Sequence, residues 1–261
     1  MKTNFKSVLK RHAKMVFDME RSIPLLKAIA KKVRPGDVVV DVGCGLGLLS
    51  FAAVQAGAKR VYAIDVDSEA LAFAMWQARE LGMEKQIVFL EDHSLNVDLM
   101  EKADVLIQET VGALAFDENF LLTLLDAKKR FLKPKGRIIP EVLSLIGAPV
   151  DKHKKILVPP TVLAKVEMLS IKKEALSITK LWKSPKLFRV KGLLLWPHVV
   201  WSKGLITDCS PSKKPTHWKQ TLLKLSPGTR RRKVNQLKFI LKIKPHPLDP
   251  HHYTDITYHL R

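Results

Sequence analysis

Residues 38–65 read VVVDVGCGLGLLSFAAVQAGAKRVYAID and leave the chain few folds to adopt. A β-branched run leads to Asp41, glycines stand at 43, 45 and 47, an apolar helical segment follows, and a second apolar run closes on Asp65. This order predicts strand, glycine-rich turn, helix and strand, the unit from which parallel sheets are wound. Glycine lets the backbone turn tightly into the helix and lets a ligand come close to it. Asp65 stands 18 residues past the last glycine. At the end of a second strand, its carboxylate can accept hydrogen bonds from two ribose hydroxyls. A nucleotide-type site is expected. The plainer alternative, a tight turn in an ordinary α/β domain, is disfavoured by the two acids and the strand–helix–strand context.

The 261 residues, 46% hydrophobic and 27% charged, suffice for one large domain or two modest ones. No apolar run reaches the length of a membrane span. The basic start MKTNFKSVLKRHAKM has no apolar stretch of the secretory kind. Cys44 and Cys209 are too few for a disulfide framework or a metal cluster. A cytoplasmic protein without membrane attachment is expected. The net charge of +20 is lopsided: residues 1–140 carry 21 basic and 18 acidic side chains, residues 141–261 carry 24 and 7. A field of that sign attracts RNA or another acidic partner to the C-terminal half and repels basic ones.

Apolar residues recur at helical period over 5–33, with Pro24 expected to divide or start a helix and Ser22 to cap it. Helices are expected over 47–56, 69–81 (capped by Ser68) and 118–131, and strands over 37–42, 60–65, 87–90, 103–108 and 137–139, the last after a Pro134-Lys135-Gly136 turn. Strand–helix alternation predicts a parallel sheet covered on both faces, with ligands at the carboxyl ends of its strands. Asp41, Asp65, Asp92 and Glu109 all fall there. After Pro140 the helical period fades. Short β-rich runs appear at 143–146, 187–190, 193–196, 237–243 and 254–258, separated by prolines and basic residues. Arg230, Arg231, Arg232 and Lys233 read as a basic hairpin tip. The expected organisation is a helical segment 1–34, an α/β domain 35–140 and a basic, β-rich domain 141–261.

Glu109 and Glu118 lie nine residues apart in IQETVGALAFDENF, around Gly112. A loop that leaves a strand end and returns to a helix start can bring both carboxylates into one pocket. Two carboxylates that share a pocket repel, and a cation between them resolves the repulsion. A planar guanidinium, with five donors in a fork, suits that position. His246, His251, His252 and His259 lack supporting cysteines or a tight ligand spacing, so no metal site is expected.

Four separated motifs now resemble one family, the protein arginine N-methyltransferases. His12, Met15, Asp18 and Arg21 match its pattern H-x-x-M-x-x-D-x-x-R. Val42-Gly43-Cys44-Gly45 with Gly47, preceded by Asp41, matches its loop for S-adenosylmethionine (SAM). Glu109 and Glu118 fall on the acids of its double-glutamate loop. Thr216-His217-Trp218-Lys219-Gln220-Thr221 reproduces its T-H-W loop, the most specific of the four. The resemblance spans residues 12–221. It implies a Rossmann-like class I methyltransferase domain, a parallel-dominated sheet with helices on both faces, followed by a mostly β, barrel-like C-terminal domain, with the active site between them. It implies SAM as cofactor and methyl transfer to an arginine of a protein or peptide. Arg21 would pair with the SAM carboxylate, Asp41 would support the methionine end, and Asp65 would hold the ribose. Asp92 and His93 would lie near the adenine. Glu109 and Glu118 would grip the guanidinium, His217 would pair with Asp18 and accept a proton, and Met15 would line the pocket. Trp218 would stand at the substrate pocket, though packing is the plainer role for it; His12 reads as structural.

The sequence departs from the family at Gln108 for serine, Thr110 for tryptophan, Ala113 for tyrosine and Ser94 for glutamate, and the tyrosines ahead of His12 are missing. The segment 140–216, which normally includes the dimerisation arm, is short, which leaves the oligomeric state open. Two rival functions follow: methylation of RNA or another acceptor, and a non-catalytic SAM- or RNA-binding protein. Against the first, Gln108-Glu109-Thr110-Val111 stands where amino-group nucleic-acid methylases often carry an N/D-P-P-Y/F motif.

Overall fold

The computed structural model describes residues 5–225, 235–245 and 254–260. The chain forms two compact units. The first comprises Met1–Thr110, Thr123–Glu141 and Val200–Thr207, and the second Val111–Leu122, Val142–Val199 and Asp208–Arg261. A twelve-residue segment thus leaves the first unit directly after Glu109 and Thr110, and a short piece of late chain returns to it.

The first unit opens with α1 (Phe5–Val16) and α2 (Met19–Lys32), then β1 (Val38–Val42), α3 (Leu48–Gln55), β2 (Arg60–Asp65), α4 (Ser68–Glu80), β3 (Ile87–Glu91) and β4 (Ala103–Gln108). After the excursion come α5 (Phe120–Arg130, which begins in the second unit) and β5 (Leu132–Ile139). The sheet order β3-β2-β1-β4-β5, parallel throughout, is the expected doubly wound arrangement. All five residues of β1 are buried, as an interior strand covered on both faces must be. No described helix is long and apolar enough to cross a membrane.

Several local expectations give way. The break between the first helices falls at Asp18, whose carboxylate caps α2 by accepting from the Arg21 N–H at 3.2 Å. Ser22, buried, instead turns its hydroxyl to the Met15 and Val16 carbonyls. Pro24 lies inside α2. A proline there cannot donate to the carbonyl four residues back, that of Glu20. Thr207 takes that acceptor: its hydroxyl donates to the Glu20 carbonyl at 3.0 Å and receives the Trp201 indole N–H at 2.8 Å. Asp67, not Ser68, caps α4, accepting from Glu69 and Ala70, because a carboxylate reaches two free N–H groups at once. Pro134 to Gly136 form no turn. They lie within β5, where the register with β4 jumps from Leu132 to Arg137; an edge strand tolerates both proline and bulge.

The second unit is built on antiparallel strands, β6 (Val142–Val150), β7 (Thr161–Glu167), β8 (Leu176–Lys183), β9 (Gly192–Ser202), β10 (Leu205–Asp208), β11 (Thr221–Lys224), β12 (Gln236–Pro245) and β13 (Thr254–Leu260), with the ends of β9 and β10 counted in the first unit. Of β10, all but Asp208 belongs to the first unit. The strands form one sheet in the order β10-β9-β6-β7, with β11 on β9, and a three-stranded sheet β13-β12-β8. Residues 187–190 are not a strand. Pro185–Arg189 is a 3-10 turn with Ser184 as its cap, since proline presets its first turn. Trp196 and Phe239 are wholly buried in this unit. The tetrabasic stretch 230–233 and His246, His251 and His252 lie outside the described residues; His259 is exposed on β13.

Candidate functional site

Four acids sit at the carboxyl ends of four neighbouring strands in the first unit. Asp92 follows β3, Asp65 ends β2, Asp41 is the penultimate residue of β1, and Glu109 follows β4. Adjacent strands lie about 4.8 Å apart, so sheet order alone gathers these carboxylates on one rim.

The glycine loop between β1 and α3 is built around them. Gly43, Gly45 and Gly47 have φ of +76°, +52° and +81°, where side chains are strained. A Cβ at Gly43 would also meet the Thr110 methyl at 2.7 Å. Asp65 fixes the loop: one oxygen accepts from the Gly45 N–H at 2.7 Å and the other from the Asp67 N–H at 2.9 Å. Asp41 is fully buried and accepts from the Ser50 hydroxyl at 2.7 Å, while its second oxygen has no hydrogen-bond partner among the described residues. Burial pushes its carboxyl up to about 7, against the Ser50 hydrogen bond; the charges of Asp65 and Glu109 add to the rise and Arg21 opposes it. Burial also raises the Cys44 thiol inside the loop.

Helix α1 packs onto this loop. Val8 clusters with Leu46, Ala70 and Phe73, and His12 lies against Gly45 with its Nε2 3.6 Å from Asp67. His12 thereby serves the structural role expected of it. An apolar cavity of about 590 Å³ beside α1, lined by Leu9, Val16, Phe51 and Phe73 among others, contains none of the strand-end acids. Arg21 on α2 is buried and holds Glu109 through its terminal nitrogen; its other terminal nitrogen donates to the Met15 carbonyl at 3.2 Å. Its Nε is buried with no hydrogen-bond partner among the described residues. The Met15 side chain is half-buried.

Arg21, Asp41, Asp65, Glu109 and the three glycines therefore share one site. Asp92 is exposed and shapes its own turn, accepting from the His93 N–H and the Asn96 amide; His93, half-buried, accepts from the Leu95 N–H. Asp18 shapes backbone as well, at the start of α2. The remaining sequence candidates belong to the second unit. Glu118 is exposed, and it is not helical as expected: it and Asn119 have φ of +66° and +55°. The acid that folds into the loop is Asp117, which accepts from the Leu114 N–H at 3.0 Å and packs against Gly112, with its carboxyl raised chiefly by burial. His217 stacks on buried Trp218, ring centroids 4.6 Å apart. Thr216 and Gln220 pin the two ends of that loop to Cys209. The sequence alone does not single out Ser50 or Asp67, and marks Thr110 only as a departure from the family pattern. Asp67 had a local signal, an acid directly before a predicted helix. Ser50 and Thr110 had none, since each matters only through a neighbour that the fold supplies.

Comparisons with known proteins bear on this geometry. The family model described as ribosomal protein L11 methyltransferase matches residues 24–144. The probable protein arginine N-methyltransferase 6 of Arabidopsis thaliana is 37% identical over 146 residues, 54% of this chain and 32% of that protein. The chain thus spans about a third of that relative's length. Protein arginine N-methyltransferase 1 of Dictyostelium discoideum is 30% identical over 256 residues, 81% of this chain and 75% of that protein. Among solved structures, Arabidopsis thaliana protein arginine methyltransferase 10 superposes with a TM-score of 0.82 at 18% identity, covering 98% of this chain and 95% of that one. The Trypanosoma brucei PRMT1 enzyme–prozyme complex with AdoHcy gives 0.80 at 22%, covering 97% and 93%. At those identities the structures speak to fold. The Dictyostelium relative, matched over three quarters of its length, speaks to descent: this chain belongs to the protein arginine N-methyltransferase family.

Proposed function

We propose that this chain transfers methyl groups from S-adenosylmethionine to an arginine guanidinium of a protein or peptide. The observation that carries the reading is the strand-end site, where buried groups of opposite sign stand side by side. Asp41 keeps one oxygen and Arg21 one nitrogen without a hydrogen-bond partner among the described residues. An acceptor and a donor so placed suit the ammonium and carboxylate of a methionine end. Asp65, already accepting two N–H groups, has lone pairs left for ribose hydroxyls. Asp92 and His93, one strand further along, serve the adenine end. The cofactor supplies an electrophilic methyl on a sulfonium.

The Glu109 side chain is 6% exposed and pairs with a guanidinium in this structure, that of Arg21, which supports a role for it toward one. In the proposed reaction Glu109 and Glu118 hold two nitrogens of the substrate guanidinium and draw its charge toward them, which leaves the third nitrogen electron-rich. That nitrogen forms the new N–C bond as the S–C bond breaks, and then loses a proton. His217, steadied by Trp218, is the acceptor we assign, with Asp18 as its partner residue. Substrates are arginine-bearing proteins, and the basic C-terminal half takes an acidic partner. Both cysteines are free and buried, which supports the cytoplasm as the site of action.

Labelled SAM added to a cell lysate tests this, with protein and RNA fractions counted separately. Methylarginine in the protein fraction is expected, reduced about 10²- to 10³-fold in Glu118→Gln. Label in RNA, or protein label indifferent to Glu118, overturns it.

A further inference from the structure

The outward face of the sheet β13-β12-β8 takes no part in the site above. On β12, Leu237, Phe239, Leu241 and Ile243 are buried, and Lys238, Lys242 and Lys244 between them are exposed, with Ile240 half-buried on their side. Directly opposed residues of antiparallel strands share a face. The register sets Lys183 opposite Gln236, Leu181 opposite Lys238 and Thr179 opposite Ile240 on one side, and His259 opposite Ile240 and Thr257 opposite Lys242 on the other. Four lysines therefore look outward from two adjacent strands, β8 and β12. Among the described residues of these three strands the carboxylate is that of Asp255, 3.6 Å from Lys244 on one side of the patch, which leaves Lys183, Lys238 and Lys242 to other anions. Lys238 and Lys242 are four residues apart, about 13 Å along the strand, too far to hold one anion together and suited to successive charges of a polymer.

Just beyond β8, the 3-10 turn Pro185–Arg189 presents Phe188, 62% exposed, with the Arg189 guanidinium 5.0 Å from its ring centroid. An aromatic face backed by a cation is a stacking platform for an unpaired base. A duplex hides its base faces and an acidic peptide has no use for the ring, so the combination favours a single strand.

We infer that this face binds single-stranded nucleic acid, with phosphates on Lys183, Lys238 and Lys242 and a base on the Phe188–Arg189 pair. Binding here is independent of methyl transfer, since none of these residues belongs to the strand-end site.

Fluorescence anisotropy with a labelled 20-nucleotide uridylate RNA, across 50–200 mM salt, tests the inference on the full chain. Three phosphate contacts give a log K against log salt slope of about −2, from roughly −0.7 per contact on single strands. Lys238→Glu/Lys242→Glu weakens binding at least tenfold and flattens the slope; Lys238→Gln/Lys242→Gln serves if the charge-reversed chain does not fold, as judged by circular dichroism. Phe188→Ala weakens binding about tenfold with the slope unchanged, as lost stacking requires. Lys85→Glu/Lys135→Glu, exposed in the first unit, binds like the unsubstituted chain. Equal binding by the β12 variants, or an equal loss in the Lys85/Lys135 control, overturns the proposal. So does binding to phosphatidylserine vesicles with none to the RNA.

Discussion

The acids of the two units are held in opposite ways. In the first unit Asp41, Asp65 and Glu109 are positioned by a sheet: strand order sets their spacing, and Ser50, the Gly45 and Asp67 N–H groups, and Arg21 fix their oxygens. In the second unit Glu118 is exposed on a loop whose shape rests on left-handed backbone at Ala115, Glu118 and Asn119, and whose inward-turned acid is its neighbour Asp117. The contrast teaches that a strand end makes a carboxylate part of its unit's interior, while a loop leaves one within reach of solvent.

Paired substitutions sharpen the contrast most. Glu109→Gln and Glu118→Gln should each lower kcat/KM about 10²- to 10³-fold. Glu109→Gln should lower Tm more than Glu118→Gln, because it leaves the Arg21 charge buried without its counter-ion, at a stability loss of up to about 3–5 kcal/mol. Equal melting of the two variants would break the comparison.

Asp41 supplies a pH test. Its carboxyl titrates near 7 when folded, against the model-peptide value of 3.8. The folded chain then binds the extra proton between those values, so stability falls as pH rises from about 4 to 7, by up to about 1.4 kcal/mol per pH unit. Asp41→Asn should abolish that slope. Its Tm advantage over the unsubstituted chain should grow from pH 5 to 7.5 and level off above 8, in melts at constant ionic strength; a pH-independent difference would refute the assignment.

Smaller effects test the supports. Thr207→Val removes the donor to the Glu20 carbonyl and the acceptor for Trp201, for a loss of about 1–3 kcal/mol by denaturant titration. Asp67→Ala uncaps α4 and should cost about 1 kcal/mol, with Ser68→Ala near neutral. A larger loss at Ser68 would return the cap to it.

The legible parts of the sequence are those where each residue obeys a local rule. Residues 38–65 are legible because β-branched residues, left-handed glycines and a strand-end acid each point to the same turn. Asp67 and Ser68 were not separable, since both residue types cap and they are adjacent. Residues 187–190 are apolar enough for a strand, but Pro185 and Ser184 start a 3-10 turn at once. Glu118 adjoins the apolar helical period of 121–131 and reads as its first residue; its left-handed backbone reflects the loop as a whole. The use of Thr207 by α2 was beyond any local rule, with its partner 187 residues away.

That last link has a consequence for biosynthesis. The first unit is finished by residues 200–207, which leave the ribosome after the whole α/β sheet and more than half of the β-rich unit. With 187 residues between them, at about 5–20 residues per second the carbonyl exposed by Pro24 waits roughly 10 to 40 seconds for its hydroxyl. The N-terminal half of this chain is therefore made first and completed late.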